Sequence, residues 1–151
     1  MKIITPSNPG LVSIQRNTYD ALDIPTLVQP LGGLRHYIQK GERVLLKTSL
    51  LIPSDPKKAV VTHPAVIRAL AEAALQIGAI PFIGDSPSGQ FTKRRLEKAY
   101  QKSGLTTVAS DLGIELNYDT GITKIEIPQA KKLKKTPICD YVLHADKIIA
   151  V

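Results

Sequence analysis

The sequence predicts an α/β domain of three layers, with a mainly parallel central sheet and an antiparallel element near residues 115–143. Three observations carry that expectation. Residues 43–52 form a nearly continuous apolar run, the pattern of a strand covered on both faces. Val66, Ile67, Leu70, Ala71, Ala74, Leu75 and Ile77 then recur at helical spacing behind Thr62-His63-Pro64. Ile80-Pro81-Phe82-Ile83 returns as a second apolar run. Strand, helix and strand make a βαβ unit, whose crossover is right-handed in almost all sheets.

Taken in order, residues 1–10 hold two prolines and a glycine and read as an irregular arm, and residues 11–151 as one α/β domain. Leu11 to Gln15 alternates as a short strand would. Residues 24–40 carry Leu27, Val28, Leu31, Leu34, Tyr37 and Ile38 at helical spacing, but Pro30 and Gly32-Gly33 should interrupt the helix. Gly41 reads as its stop. Pro64 suits the first helical position, and Gly78 ends the helix it opens. Leu96, Ala99 and Tyr100 give residues 93–102 an apolar spacing, with a stop at Gly104. Residues 107–112 predict another turn or two of helix, and 114–118 a strand. Ile122 to Ile127 alternates apolar against polar, like a half-solvated antiparallel strand. A basic turn at 129–135 and a short segment at 138–143 lead to an apolar strand at 145–151. No covering helix follows that strand, so it should be covered by another chain, by swapped structure or by a missing C-terminal half.

Composition narrows the functional classes. The chain has 151 residues, 43% hydrophobic and 22% charged, the balance of a soluble globular domain. It has no apolar run of about 18 residues or more, so no membrane span is expected, and the start lacks the pattern of a signal peptide. Cys139 is the single cysteine, which excludes an intrachain disulfide and a CxxC metal site. The natural compartment for such a chain is the cytoplasm. A net charge of +7 would suit nucleic acid, a phosphorylated ligand or an acidic partner. Without Trp and with two Phe, a stacking platform for single strands is not evident.

The chemistry concentrates in Gly84-Asp85-Ser86-Pro87-Ser88-Gly89-Gln90-Phe91-Thr92, a loop between an apolar strand and a helix. Such loops form the ligand-facing edge of α/β folds, and the helix behind would offer free N–H groups to an anion. The loop matches neither GxGxxG nor GxxxxGK[ST], and Ser86 is not in a GxSxG elbow. Candidate ligand-binding residues are Lys47, Ser49, Thr62, His63, Asp85 and Ser86. Lys47 would bind an anion at the strand end, or be a solvated lysine. Ser49 would add a hydroxyl contact, or satisfy a local turn. His63 would act as an acid/base or metal ligand, or cap its helix, as Thr62 also could. Asp85 would orient a ligand hydroxyl, hold a hydrated Mg²⁺ or act as a base, or else brace its own loop. No second ligand lies at metal spacing from His63. His36 and His144 are isolated and read as structural. Lys93-Arg94-Arg95, Lys98 and Lys102 form one basic cluster, and Lys131, Lys132, Lys134 and Lys135 another. Both could bind phosphates, and both are the kind of run that is more often a solvated face.

Several segments resemble the domain of unknown function 362 family. They are Arg43 to Lys47, Leu51-Ile52-Pro53, Asp55 to Val60, Thr62-His63-Pro64, Gly84-Asp85-Ser86-Pro87, Phe91-Thr92-Lys93, Leu96 to Tyr100, Leu116 to Asp119 and Ala145-Asp146. Two departures stand out. Family members typically place Pro-Asn after the lysine that ends the first strong strand, where this chain has Thr48-Ser49. They also continue past the Ala-Asp strand into a second half, and many end in a ferredoxin-like domain with cysteine ligands for [4Fe-4S] clusters. The resemblance implies an α/β domain, the N-terminal part of a longer architecture, often associated with iron–sulfur proteins. It implies no iron–sulfur cluster in this chain itself, because one cysteine cannot supply the usual four ligands.

Three functions from different classes follow. The first is binding of a small anionic or phosphorylated ligand at the strand-end crevice. The second is an interaction module for an iron–sulfur or redox partner. The third, nucleic-acid binding, rests on net charge alone and is the least favoured.

Overall fold

A computed structural model describes residues 10–151. The arm expected at 1–10 lies, but for Gly10, outside those residues. The main sheet has four parallel strands: β1 (Arg43–Lys47), β2 (Ile80–Gly84), β3 (Glu115–Leu116) and β6 (Lys147–Ala150). Their order is β3-β2-β1-β6. Helix α3 (Pro64–Ile77) connects β1 to β2, and α4 (Lys93–Ser103) with α5 (Leu105–Leu112) connects β2 to β3. A two-stranded antiparallel sheet, β4 (Ile122–Glu126) with β5 (Lys135–Cys139), and helix α6 (Asp140–Leu143) precede β6. Helices α1 (Ile24–Val28) and α2 (Leu34–Tyr37) lie at the start, joined by a 3-10 turn at Gln29–Leu31.

The three layers follow from the period of two along the strands. Val44, Leu46 and Ile83 point to one face and pack with Ile67, Leu70, Ala71 and Ala74 of α3. Leu96, Ala99 and Tyr100 of α4 and Leu105, Val108 and Ala109 of α5 complete this main core. Leu45 and Phe82 point to the other face and meet Tyr141 of α6, with Phe91, Cys139, Val142 and Ala145 around them. Burying one large apolar side chain contributes about 1.5–3 kcal/mol, so the helical face dominates the hydrophobic stabilisation. Tyr100, fully buried, satisfies its phenol by donating to the Asn117 carbonyl at 2.9 Å.

Local chemistry sets the boundaries. Pro64 occupies the first helical position of α3, and the N-cap is His63, whose Nδ1 accepts the Ala65 N–H. Gly78 ends the helix in the left-handed region, φ 87°, taking up the free carbonyls of Ala74 and Leu75. Pro30 and Gly32-Gly33 break residues 24–40 into two short helices, as the sequence suggests.

Three expectations need correction. The strand expected at 43–52 ends at Lys47. Beyond it the amides bond to side chains: Ser49 N–H to Thr62 Oγ1 and Leu50 N–H to Asp85 Oδ2. Leu50 keeps only an isolated antiparallel bridge to Val61. The strand expected at 11–15 is absent, and Ser13 instead donates its hydroxyl to the Leu27 carbonyl. Of residues 114–118 only Glu115–Leu116 is strand, and it joins the parallel sheet. The antiparallel element is therefore confined to β4 and β5.

Gly84 closes β2 at the tightest point between sheet and second layer. A Cβ there would lie 2.9 Å from Leu45 Cδ1 and 3.0 Å from both Tyr141 Cδ2 and Cε2. Gly84→Ala should lower unfolding stability by about 1–3 kcal/mol through overpacking. Urea denaturation checks this; an unchanged midpoint would show that the α6 layer yields freely.

Candidate functional site

The C-terminal ends of the parallel strands share one rim, and the strand order places a reversal on it. The chain builds β1, β2 and β3 outward in one direction, then lays β6 on the opposite side of β1. In open parallel sheets the crevice at such a reversal is the usual ligand position. Here the reversal lies between β1 and β6.

Lys47 ends β1. Its ammonium donates to Asp85 Oδ1 at 2.9 Å and to the Thr48 carbonyl at 3.1 Å. The other oxygen of Asp85 accepts the Leu50 N–H at 2.6 Å. The Asp85 side chain is 6% exposed and that of Lys47 is 41% exposed. One carboxylate thus ties the loop after β2 to the end of β1 and to the segment beyond it. Both its oxygens are turned inward, which is the bracing arrangement. The rest of the Lys47 side chain is partly open to solvent.

Ser49 and Thr62 make a second group. Thr62 Oγ1 accepts the Ser49 N–H at 2.9 Å and donates to the Val151 oxygen at 3.1 Å, which also accepts from Ser49 Oγ at 3.3 Å. These bonds bridge the ends of β1 and β6 at the reversal. Thr48, between the two groups, is fully buried, and among the described residues its Oγ1 has no hydrogen-bond partner.

His63 is committed elsewhere. Its Nδ1 caps α3 at 3.2 Å, and its ring stacks on Tyr19 with centroids 3.6 Å apart. Ser86 is exposed and lies beside Tyr141 and Cys139. The structure therefore joins Lys47 to Asp85 and Ser49 to Thr62, and sets Ser86 against the second layer. Among the described residues, no group of three His, Cys, Asp or Glu side chains is placed to hold a metal ion.

Sequence reasoning missed Tyr141 and Cys139. Burial pushes the Tyr141 phenol up to about 12, against the opposing pull of the Ser86 hydroxyl. Burial likewise pushes the Cys139 thiol up, so it is not an activated nucleophile. Burial is also the main cause that raises the Tyr100 phenol, followed by the Asp85 charge. A four-residue helix has no period to read, so only the apolar pair Tyr141-Val142 hinted at a packed face.

The family model described as a domain of unknown function (DUF362) matches residues 44–151. The chain belongs to this family. A curated relative, a thylakoid-associated protein of Synechocystis sp., is 43% identical over 63 residues, which are 42% of this chain and 20% of the relative. The matched stretch thus spans a fifth of that relative's length. No solved structure matches the chain. In this DUF362 domain no described helix is long and apolar enough to cross a membrane.

Two outcomes follow for this DUF362 domain. Asp85→Ala leaves the buried Leu50 N–H without an acceptor and should lower unfolding stability by about 1–3 kcal/mol in denaturant titration. An unchanged stability would remove Asp85 from the bracing role. The second concerns alkaline pH. The folded Tyr141 holds its proton up to about 12, above the ordinary 10.0 of the unfolded chain. Its stabilising contribution is whole below pH 10.0 and is lost as pH rises toward about 12, because the unfolded state ionises first. Tyr141→Phe should therefore flatten the alkaline fall in stability, and an identical slope in both proteins would count against a buried phenol.

Proposed function

We propose that this domain binds a small anionic or phosphorylated ligand in the strand-end crevice. The observation that carries the reading is the Lys47 side chain, 41% exposed and held at the β1 end beside the β1/β6 reversal. Asp85 orients that ammonium and, with both oxygens occupied inward, leaves its outer side to a ligand oxygen. The exposed hydroxyls of Ser49 and Ser86 supply polar contacts on either side. Thr62 serves by fixing Ser49, and His63 by starting α3. The ligand is a monoanion or dianion small enough to be held by one ammonium and two hydroxyls. A cytoplasmic location is part of the same proposal.

A second reading has its own observation. Strand β6 is the edge of the sheet, paired with β1 on one side, and Ile148 on it is 37% exposed. An open strand edge is a template for another chain. This favours an interaction module, with a second copy, the rest of a longer family architecture or an iron–sulfur protein as the covering chain.

Thermal unfolding of the wild type and of Lys47→Met with inorganic phosphate, malate and nucleoside monophosphates tests the first reading. At least one probe should raise the wild-type Tm by roughly 5–10 °C when present at about a hundredfold excess over its Kd. The Lys47→Met protein should show no such rise. Equal shifts in both proteins would place the anion elsewhere, and no shift with any probe would leave the edge strand as the better account.

A further inference from the structure

A second concave site lies on the same loop, past the Asp85 tie. Pro53, Gln90, Thr92, Arg94, Arg95 and Lys98 line a cleft of about 230 Å³. Its wall holds three cations and no carboxylate. Among the described residues, none of the three forms an ion pair. Residues 1–9 contain no Asp or Glu that would supply one. Arg95 Nε is buried and, among the described residues, has no hydrogen-bond partner. Its guanidinium lies close against the loop backbone: a Cβ on Gly89 would sit 3.3 Å from both Cζ and Nη2. A charged donor buried without an acceptor costs free energy that a solvated surface arginine does not.

The helix behind the cleft adds a separate signal. Lys93, Arg94 and Arg95 open α4, and its first turn holds no acid. Cations at a helix N-terminus oppose the macrodipole. Thr92 stands at the N-cap, yet its side chain makes no capping bond. A solvated basic face would explain the exposed Arg94 and Lys98. It does not explain the buried, unpartnered Arg95 Nε, nor cations gathered at the unfavourable end of a helix. Local rules broken together, without compensation inside the chain, mark functional sites. An anion in the cleft would offset the cations gathered at the start of α4 and give the Arg95 guanidinium a counterion.

We propose that this cleft binds the phosphoryl group of a small phosphate monoester, with the half-buried Arg95 as the central contact and Arg94 and Lys98 as flanking charges. Arginine suits this role because its fork of donors matches phosphate oxygens, while lysine adds a point charge. Lys93 stands outside the wall, its ammonium 5.9 Å from the Tyr118 ring centroid. None of the lining residues belongs to the Lys47 rim, so the site stands whether or not that rim holds a ligand.

The test is a titration of the full chain with phenyl phosphate at low salt, followed by NMR of the arginine side chains and of backbone amides 92–95. The Arg95 Nε–H and those amides should shift together and saturate. Arg95→Gln should weaken binding about tenfold or more, as losing one charge-assisted hydrogen bond does. The double variant Arg94→Gln/Lys98→Gln should also weaken it, and provides the test if Arg95→Gln does not fold. Lys93→Gln, outside the wall, should bind as the wild type. Losses as large in Lys93→Gln as in the cleft variants would overturn the site in favour of a diffuse basic face. Shifts that fail to saturate, or that fall mainly on residues 131–135, would overturn it as well.

Discussion

A single buried carboxylate organises the working edge of this domain. Asp85 accepts from Lys47 with one oxygen and from the Leu50 N–H with the other. Those partners belong to different parts of the chain: the end of β1, and the segment that has just left the sheet. The tie makes the departure from the sheet possible, because an amide leaving a ladder must find another acceptor. It also sets where the loop after β2 begins, and hence where α4 starts. A charge so buried is tolerable only when paired and hydrogen-bonded, and Asp85 meets both conditions.

The sheet gives that tie its position. With order β3-β2-β1-β6, β1 is flanked on both sides by parallel strands, and its last residue is Lys47. The helical layer packs on Val44 and Leu46, so the alternation that buries them sends Leu45 and Lys47 to the other side. There Leu45 meets Tyr141, and Lys47 reaches Asp85. A slip of one residue in β1 would exchange these sides and remove the ammonium from the rim. The register of a hydrophobic strand therefore determines the geometry of a polar group at its end.

Much of this architecture can be read from the residues, and the limits have physical causes. The unit β1–α3–β2 is legible because its strands are continuous apolar runs, because α3 repeats its apolar residues at helical spacing, and because Pro64 and Gly78 bracket the helix. The end of β1 is not legible. Leu50, Leu51 and Ile52 prolong the apolar run, and tertiary bonds from Thr62 and Asp85 take the Ser49 and Leu50 amides out of the ladder. Lys47 and Asp85 are singled out by their places after apolar runs, yet their mutual contact spans 38 positions and leaves no local trace. His63 shows both readings in one residue. Its place before Pro64 suggests a cap, its chemistry suggests a ligand, and the geometry commits the Nδ1 to the cap. The second layer is the least legible part, since Tyr141 packs from a helix too short to have a period.

Charge count says little about where such a domain meets an anion; concavity and burial say more. The net charge of +7 is spread over paired and unpaired groups. Arg43, Arg68, Lys135 and Lys147 each face a carboxylate, which weakens them as free attractors. Two basic runs remain. The one at 131–135 sits on an exposed turn, with Lys135 bonded to Glu126, and water screens it fully. The one on α4 lines a cleft, and part of it is buried beside a loop that offers no acceptor. Similar residue types thus have different electrostatic weight in the two places, because a charge removed from water interacts more strongly with whatever replaces the water. The loop from Gly84 to Thr92 divides accordingly: its first part orients a cation with Asp85, and its last part leads to cations without a counterion among the described residues.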